Sequence, residues 1–273
     1  GALQTSFIYI AYLNHFIFKT ILIMSKLYNT WLGYFLFVFC VFSSTLSAKE
    51  TLHVAVASNF KTVLQTLLQE SPLPGVQVKI SAASSGVLYS QIVHGAPFDV
   101  FLSADDVRPQ ALVKQGFASQ SSLVTYALGE LALWQPNANK VNNKVAIANP
   151  RFSPYGRASQ FYANANFKKP ISYVYGNNIT QAFQFVQSGN VSIGLVAVST
   201  LKAAYSNTQN PKYLDYKVLE ASEYPDIIQQ GVIIKSTKKM ESAKKLMDFL
   251  MTSSTQLKLI KLGYRSKDSN ASK

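Results

Sequence analysis

The sequence predicts an α/β fold in two lobes, each a mostly parallel sheet flanked by helices, the two joined by a pair of crossover strands. Three observations lead there. Short apolar strands alternate with segments whose apolar residues recur at helical spacing, the pattern of a parallel sheet covered on both faces. The alternation comes in two sets of three, with a break after about residue 114. Two longer strand-like segments, one between the sets and one after them, are left over to join the halves.

The elements follow in order. "TLHVAVAS" (Thr51–Ser58) is an apolar strand, and "NFKTVLQTLLQ" carries Phe60, Val63, Leu64, Leu67 and Leu68 on one helical face, with Ser58 at the N-cap. "VQVKIS" (Val76–Ser81) leads into Ser84-Ser85-Gly86 and a helix through Ile92. "FDVFLSADD" (Phe98–Asp106) leads into a helix around Pro109–Lys114. The second set repeats the plan: "VAIANP" (Val145–Pro150) before "RFSPYG" and the helix "RASQFYANAN", "ISYVYG" (Ile171–Gly176) before Asn177-Asn178 and "ITQAFQFVQSG", and "VSIGLVAV" (Val191–Val198) before Ser199-Thr200 and "LKAAYS". Between the sets, "SSLVTYALGELALWQPNANKVNN" starts as a strand and ends as an Asn-rich loop. "IIQQGVIIKST" (Ile227–Thr237) is the second crossover strand, and the helix after it, with Ala243, Leu246, Met247, Leu250 and Met251, packs back on the first lobe. Two crossing strands permit hinge closure. The lobes are expected at 49–127 with 232–273, and at 128–231.

Residues 1–48 are read as an upstream extension followed by a secretory signal peptide that starts at Met24. Lys26 gives the basic start, Trp31 to Phe42 the apolar run, and small residues lead to a cut near Ala48. The apolar run is short for a membrane span, which needs about 20 residues. Phe-Val-Phe before Cys40 does not match a lipid-attachment box. Cys40 is the single cysteine and leaves with the leader, so the exported protein has no disulfide, thiol nucleophile or cysteine metal site. Such a chain fits a bacterial envelope, and a periplasmic location is expected. Only Lys19 and Lys26 of the 26 basic residues lie in the leader, and none of the 13 acids does, so the exported part keeps an excess of 11 positive charges. The lysines are scattered in small clusters such as Lys168–Lys169, Lys238–Lys239 and Lys244–Lys245. No arginine-rich or aromatic-interleaved tract marks a nucleic-acid partner.

In an open α/β sheet, ligands bind outside the carboxyl ends of strands, beside helix starts. The residues there are Ser58-Asn59, Ser84-Ser85-Gly86, Pro154-Tyr155-Gly156 and Asn177-Asn178-Ile179. Each alone reads as a cap or a turn. Together they are hydroxyl, amide and backbone donors at equivalent places in two matching halves, and helix starts add a partial positive charge. A small dianion held between the lobes suits them. Asp99, Asp105 and Asp106 have no histidine near except His94, the other being His53, so Asp105 is expected to cap the next helix or face the cleft rim. "STKK" (Ser236–Lys239) matches the S-x-x-K of penicillin-binding enzymes without a following K-T-G, and reads as a solvated turn.

"VAVASNF" (54–60), "SSGVLYSQIVHGAPFDVFLSADD" (84–106), "YALGELALW" (126–134), "IANPRFSPYG" (147–156) and "GLVAV" (194–198) together resemble the periplasmic molybdate-binding proteins of ABC importers. The similarity covers nearly all of residues 50–265, and "GAPFDVFLSAD" with the preceding "SSG…YSQI" is the most specific part. The resemblance implies the two-lobed type II solute-binding fold, no enzymatic activity and no cofactor. It also implies molybdate or tungstate as ligand, held as an oxyanion without direct metal ligands, a membrane ABC permease as partner, and a monomer. Carried over by motif, the oxyanion-binding positions are Ser58, Asn59, Ser85, Tyr155 through its backbone N–H, and Ile179. Between Ser84 and Ser85 the choice falls on Ser85, which directly precedes the glycine. The chain departs from the family pattern at two places. Ala197 stands where some members place a tyrosine that reaches the oxyanion, so this chain resembles the subgroup in which Asn59 takes over that bond. Ile179 stands where valine is usual. The competing readings are an exported serine hydrolase, a binder of another tetrahedral oxyanion such as sulfate, and a polyanion binder driven by surface charge.

Overall fold

The computed structural model describes residues 19–20, 22, 24–28, 30–31, 49–136, 144–167 and 171–266. The apolar run after Trp31, Cys40, the cut near Ala48, the Asn-rich loop at 137–143 and the pair Lys168–Lys169 lie outside them. The chain divides into a unit at Gly1–Ala48 and a compact unit at Lys49–Lys273. Among the described residues no helix is long and apolar enough to cross a membrane.

The compact unit holds two sheets. In the first, β1 (Glu50–Ala57) pairs in parallel with β2 (Val76–Ala83) and β3 (Val100–Leu102). Antiparallel strands complete it: β10 (Ile227–Ile233) lies between β3 and β4 (Val124–Gly129), and β11 (Tyr264–Arg265) closes the edge, for an order β11-β4-β10-β3-β1-β2. In the second, β6 (Lys144–Ala148) pairs in parallel with β7 (Ser172–Gly176) and β8 (Ile193–Ala197). Antiparallel β5 (Leu131–Trp134) and β9 (Tyr216–Val218) extend it to the order β7-β6-β8-β5-β9. Each sheet is therefore parallel where the βα units sit and antiparallel where the crossing strands enter.

The helices are those expected from apolar spacing. α1 (Lys61–Glu70) buries Val63, Leu64 and Leu67, and α2 (Ser85–Val93) buries Leu88 and Ile92. α3 (Val107–Lys114) buries Leu112. α4 (Pro154–Asn166), α5 (Ile179–Gln187) and α6 (Val198–Thr208) cover the second sheet. α7 (Met240–Met251) and α8 (Ser253–Lys261) return to the first, where Leu246, Leu250 and Leu259 join the core of Leu52, Val54 and Val56. Trp134, fully buried, stacks on Phe183 at 5.0 Å and anchors the second core.

The two crossings run side by side. The chain leaves the first sheet at Gly129, enters the second at Leu131, and comes back into β10 at Ile227, which sits opposite Gly129 in the ladder. The Tyr224 hydroxyl accepts from the Leu131 N–H at 3.2 Å and ties the outgoing and returning segments together. A Cβ at Gly129 would lie 2.9 Å from both Gln229 Nε2 and Ile227 Cγ2, besides striking the Tyr155 hydroxyl, so no side chain fits at this crossing.

Candidate functional site

The carboxyl ends of β1 and β3 meet the helix starts of the second sheet. Ala57, the last residue of β1, and Ala104, just past β3, share one apolar cluster with Tyr155 and Ile179. Around this contact the two halves are stitched by polar bonds. Gly86 N–H donates to the Phe152 carbonyl at 2.9 Å. Thr180 Oγ1 donates to the Ser58 carbonyl at 3.3 Å, and Ser199 Oγ to the Asn59 carbonyl at 3.4 Å. Arg157 reaches Asp105 at 3.1 Å. The structure is thus a closed form in which the seam passes through the predicted loops.

Each predicted residue has a defined place on that seam. Tyr155 is the second residue of α4. Pro154 before it has no N–H, and the N–H of Gly156 after it goes to the Ser153 side chain at 3.3 Å. The Tyr155 N–H is therefore the first open amide of the helix, with no partner among the described residues. Ile179 begins α5, where Asn178 Oδ1 caps the N–H of Gln181 at 3.0 Å and leaves the amide of Ile179 open in the same way. Both residues are buried, at 1 % and 2 % exposure. The Ser85 hydroxyl accepts from the Ala104 N–H at 2.9 Å, which fixes its oxygen and leaves its proton to give. Ser84 is the N-cap of α2 but makes no capping bond, and its buried hydroxyl has no partner among the described residues.

Ser58 does not cap α1 as expected. Residues Ser58–Phe60 form a 3-10 turn ahead of that helix, without a side-chain cap bond. The cause lies in the next two side chains. Phe60 is wedged against the rings of Tyr126 and Tyr264, at 4.8 and 5.7 Å, and the Asn59 carboxamide is drawn into the interior. Its Nδ2 lies 3.1 Å from Gln229 Oε1 and 3.1 Å from the Tyr264 hydroxyl, while its Oδ1 is buried without a partner among the described residues. Gln229, fully buried, also touches the hydroxyls of Tyr126 at 3.0 Å and Tyr155 at 3.2 Å. Burial, and then the neighbouring tyrosine hydroxyls, push Tyr126 and Tyr155 well above the usual tyrosine range, so all these phenols stay protonated.

Ser58 and Asn59 line a polar cleft of about 530 Å³ with Asn178, Thr180 and Ser199, and Lys61 is the cation on its wall. At the other side of the seam the buried Asp105 takes the Arg108 and Arg157 guanidinium groups and accepts the Arg108 N–H in the first turn of α3, while Asp106 holds the N-cap position without a side-chain cap bond. Asp99 is structural: it binds the His53 N–H at 2.7 Å, Thr237 Oγ1 at 2.7 Å and Lys239 Nζ at 3.1 Å. Burial works to raise its carboxyl pKa, but those three bonds outweigh it and hold it below the usual carboxylate value. The "STKK" segment is therefore tied down through Thr237 and Lys239 rather than simply solvated. His94 bonds the Ser90 carbonyl on the surface, and among the described residues no cluster of three His, Cys, Asp or Glu side chains can hold a metal.

Sequence reasoning missed Gln229, Tyr126, Tyr264 and Ser199. The readable signal was Gln229-Gln230 inside the otherwise apolar "IIQQGVII", because a buried glutamine in a central strand demands partners.

The chain matches the family model for bacterial extracellular solute-binding proteins over residues 52–265. It is 35% identical over 228 residues to the molybdate-binding protein ModA of Rhodobacter capsulatus, covering 77% of this chain and 86% of that protein. It is 34% identical over 219 residues to ModA of Azotobacter vinelandii, covering 72% and 82%. The solved Azotobacter vinelandii periplasmic molybdate-binding protein superposes with a TM-score of 0.68 at 32% identity, covering 78% of this chain and 98% of that one. A two-lobed closed cleft, open helix-start amides on one side of it, hydroxyls on the other and these relatives lead to one assignment: the chain belongs to the bacterial extracellular solute-binding protein family.

Proposed function

We propose that this protein captures molybdate, or tungstate, between its lobes and delivers it to a membrane ABC permease from the periplasm, after export by the signal peptide at residues 24–48. The lobes are taken as 49–127 with 232–273, and 128–231. Ser58, Asn59, Ser85, Tyr155 and Ile179 are the binding residues, and the protein acts as a monomer without catalysis. The observation that carries this reading is the pair of open helix-start amides, Tyr155 and Ile179, facing hydroxyl-bearing strand ends across a closed seam.

The chemistry follows from the donor set. Each hydrogen bond to a charged oxygen contributes about 1.5–3 kcal/mol, and several such bonds, with the partial charges of the helix starts, offset dehydration of a dianion. Ligand bonds to both halves favour the closed state over any open one. A site made of donors rejects oxygens that carry a proton, because a protonated oxygen needs an acceptor. Phosphate, partly protonated at neutral pH, is therefore disfavoured against molybdate and tungstate. Titration calorimetry with sodium molybdate, tungstate, sulfate and phosphate tests the reading. Heats at micromolar molybdate and tungstate are expected, and their absence removes it. Preference for sulfate moves the protein to the other oxyanion.

A further inference from the structure

The carboxamides of Asn59 and Gln229 and the hydroxyls of Tyr126, Tyr155 and Tyr264 form one buried relay. A half-turn of a carboxamide exchanges its donor and acceptor ends without changing its shape, so the relay has two polarities. In the first, Asn59 Nδ2 points to Gln229 and Tyr264, and Oδ1 is left buried and alone. In the second, both amides are turned, and Asn59 presents an unpaired NH2 group at the position where the first leaves a bare carbonyl.

Two fixed carbonyls bear on the choice: that of Asn59 is within reach of both the Tyr264 hydroxyl at 3.2 Å and Ser199 Oγ at 3.4 Å and can release Tyr264, so the carbonyl of Ser103 decides. The Tyr126 hydroxyl lies 2.9 Å from the Ser103 carbonyl, which can only accept. With its one proton spent there, Tyr126 needs a donor from Gln229, so the Gln229 NH2 faces Tyr126. The second hydrogen of that NH2 then points at Asn59, which must answer with its oxygen. The Tyr155 hydroxyl gives its proton to the far end of Gln229. The Tyr264 hydroxyl, 3.2 Å from the Asn59 peptide carbonyl, then turns its proton to the Asn59 side-chain oxygen, and Ser199 Oγ at 3.4 Å is left to serve that carbonyl. Every member of the relay is then paired, and the free NH2 belongs to a residue that lines the polar cleft.

We propose that Gln229 is a positioning residue that turns the Asn59 carboxamide so that its NH2, not its carbonyl, is offered to the bound oxyanion. The inference rests on the oxyanion reading of the cleft. A carbonyl at that position repels an anion, whereas an NH2 donates to it, so the orientation of one amide sets the sign of its contribution.

Two measurements test it. In the ligand-free protein labelled at glutamine and asparagine side-chain nitrogens, the Gln229 NH2 protons are expected to show nuclear Overhauser contacts to the Tyr126 ring. Gln229 NH2 protons without contacts to the Tyr126 ring overturn the proposal. Calorimetry with sodium molybdate then compares the wild type with Gln229→Met, which keeps the length and loses the donor, and with Tyr126→Phe, which removes the proton that fixes the polarity. Affinity is expected to fall at least tenfold in Gln229→Met and severalfold in Tyr126→Phe. Wild-type affinity in a folded variant of either kind overturns the proposal. A wild type that takes up no molybdate overturns the oxyanion reading, while the contacts measured without ligand still decide the polarity of the relay.

Discussion

Gly86→Ala separates closure from folding. Gly86 lies in the first turn of α2, and its N–H makes the 2.9 Å bond to Phe152 across the seam. A Cβ there would stand 3.0 Å from both the Phe152 Cα and its carbonyl oxygen, and 2.8 Å from Arg108 Nη2. The arginine end can swing aside, but the Phe152 backbone cannot. Restoring ordinary contact separates the halves and stretches the bond. The lost bond costs about 1 kcal/mol and the overpacking about 1–3 kcal/mol, both confined to the closed form. Taking the sum as about 2 kcal/mol at its lower end, molybdate affinity falls about thirtyfold. The ligand-free protein feels none of this when its halves part, and alanine in a helical turn is favoured over glycine by about 0.5–1 kcal/mol. Calorimetry gives the affinity and urea unfolding without ligand gives the stability. A variant that binds as tightly as wild type refutes the argument, as does one whose ligand-free stability falls with its affinity.

Ser85→Ala removes a hydroxyl from the start of α2 and orphans the Ala104 N–H. At least a tenfold loss of molybdate affinity is expected by calorimetry, against about 1 kcal/mol of ligand-free stability; equal losses make Ser85 only a strand-end tie. Asp99 has a lowered pKa, so its stabilisation is complete above the unfolded carboxyl value of about 3.9 and is lost as pH falls through the folded value. Urea midpoints at pH 6 and pH 3 are expected to drop further in wild type than in Asp99→Asn, and equal drops remove Asp99 as the source. Molybdate affinity is expected to change little between 20 and 200 mM salt, roughly, because the donors are desolvated; a collapse over that range, seen by calorimetry, favours the polyanion reading.

Most of the architecture was legible because each βα unit carries its own pattern. Val63, Leu64 and Leu67 announce α1, and the apolar run from Val54 to Ala57 announces β1, whatever surrounds them. The small elements β9 and β11 were not foreseen: Tyr216–Val218 and Tyr264–Arg265 are too short to show periodicity and exist because β5 and β4 offer free edges. The loops that meet at the seam were legible as helix starts, since Ser, Asn and Pro mark such positions. What lies behind them was not. The turn at Ser58 obeys Phe60 and Asn59, whose partners Tyr264 and Gln229 stand 205 and 170 residues away along the chain. A local cap rule cannot see such partners, and the reversal at Ser58 is the result.

The pairing of β10 between β3 and β4 has a bearing on how the molecule is made. The five-stranded sheet lies wholly inside a gap in the six-stranded one, so synthesis can complete the inner sheet while β3 still waits for its neighbour. The edge of β3 stays bare until residue 227 and its successors arrive. A chain threaded outward from its amino end therefore assembles from the middle, and its last forty or so residues act as the clasp that finishes the first half.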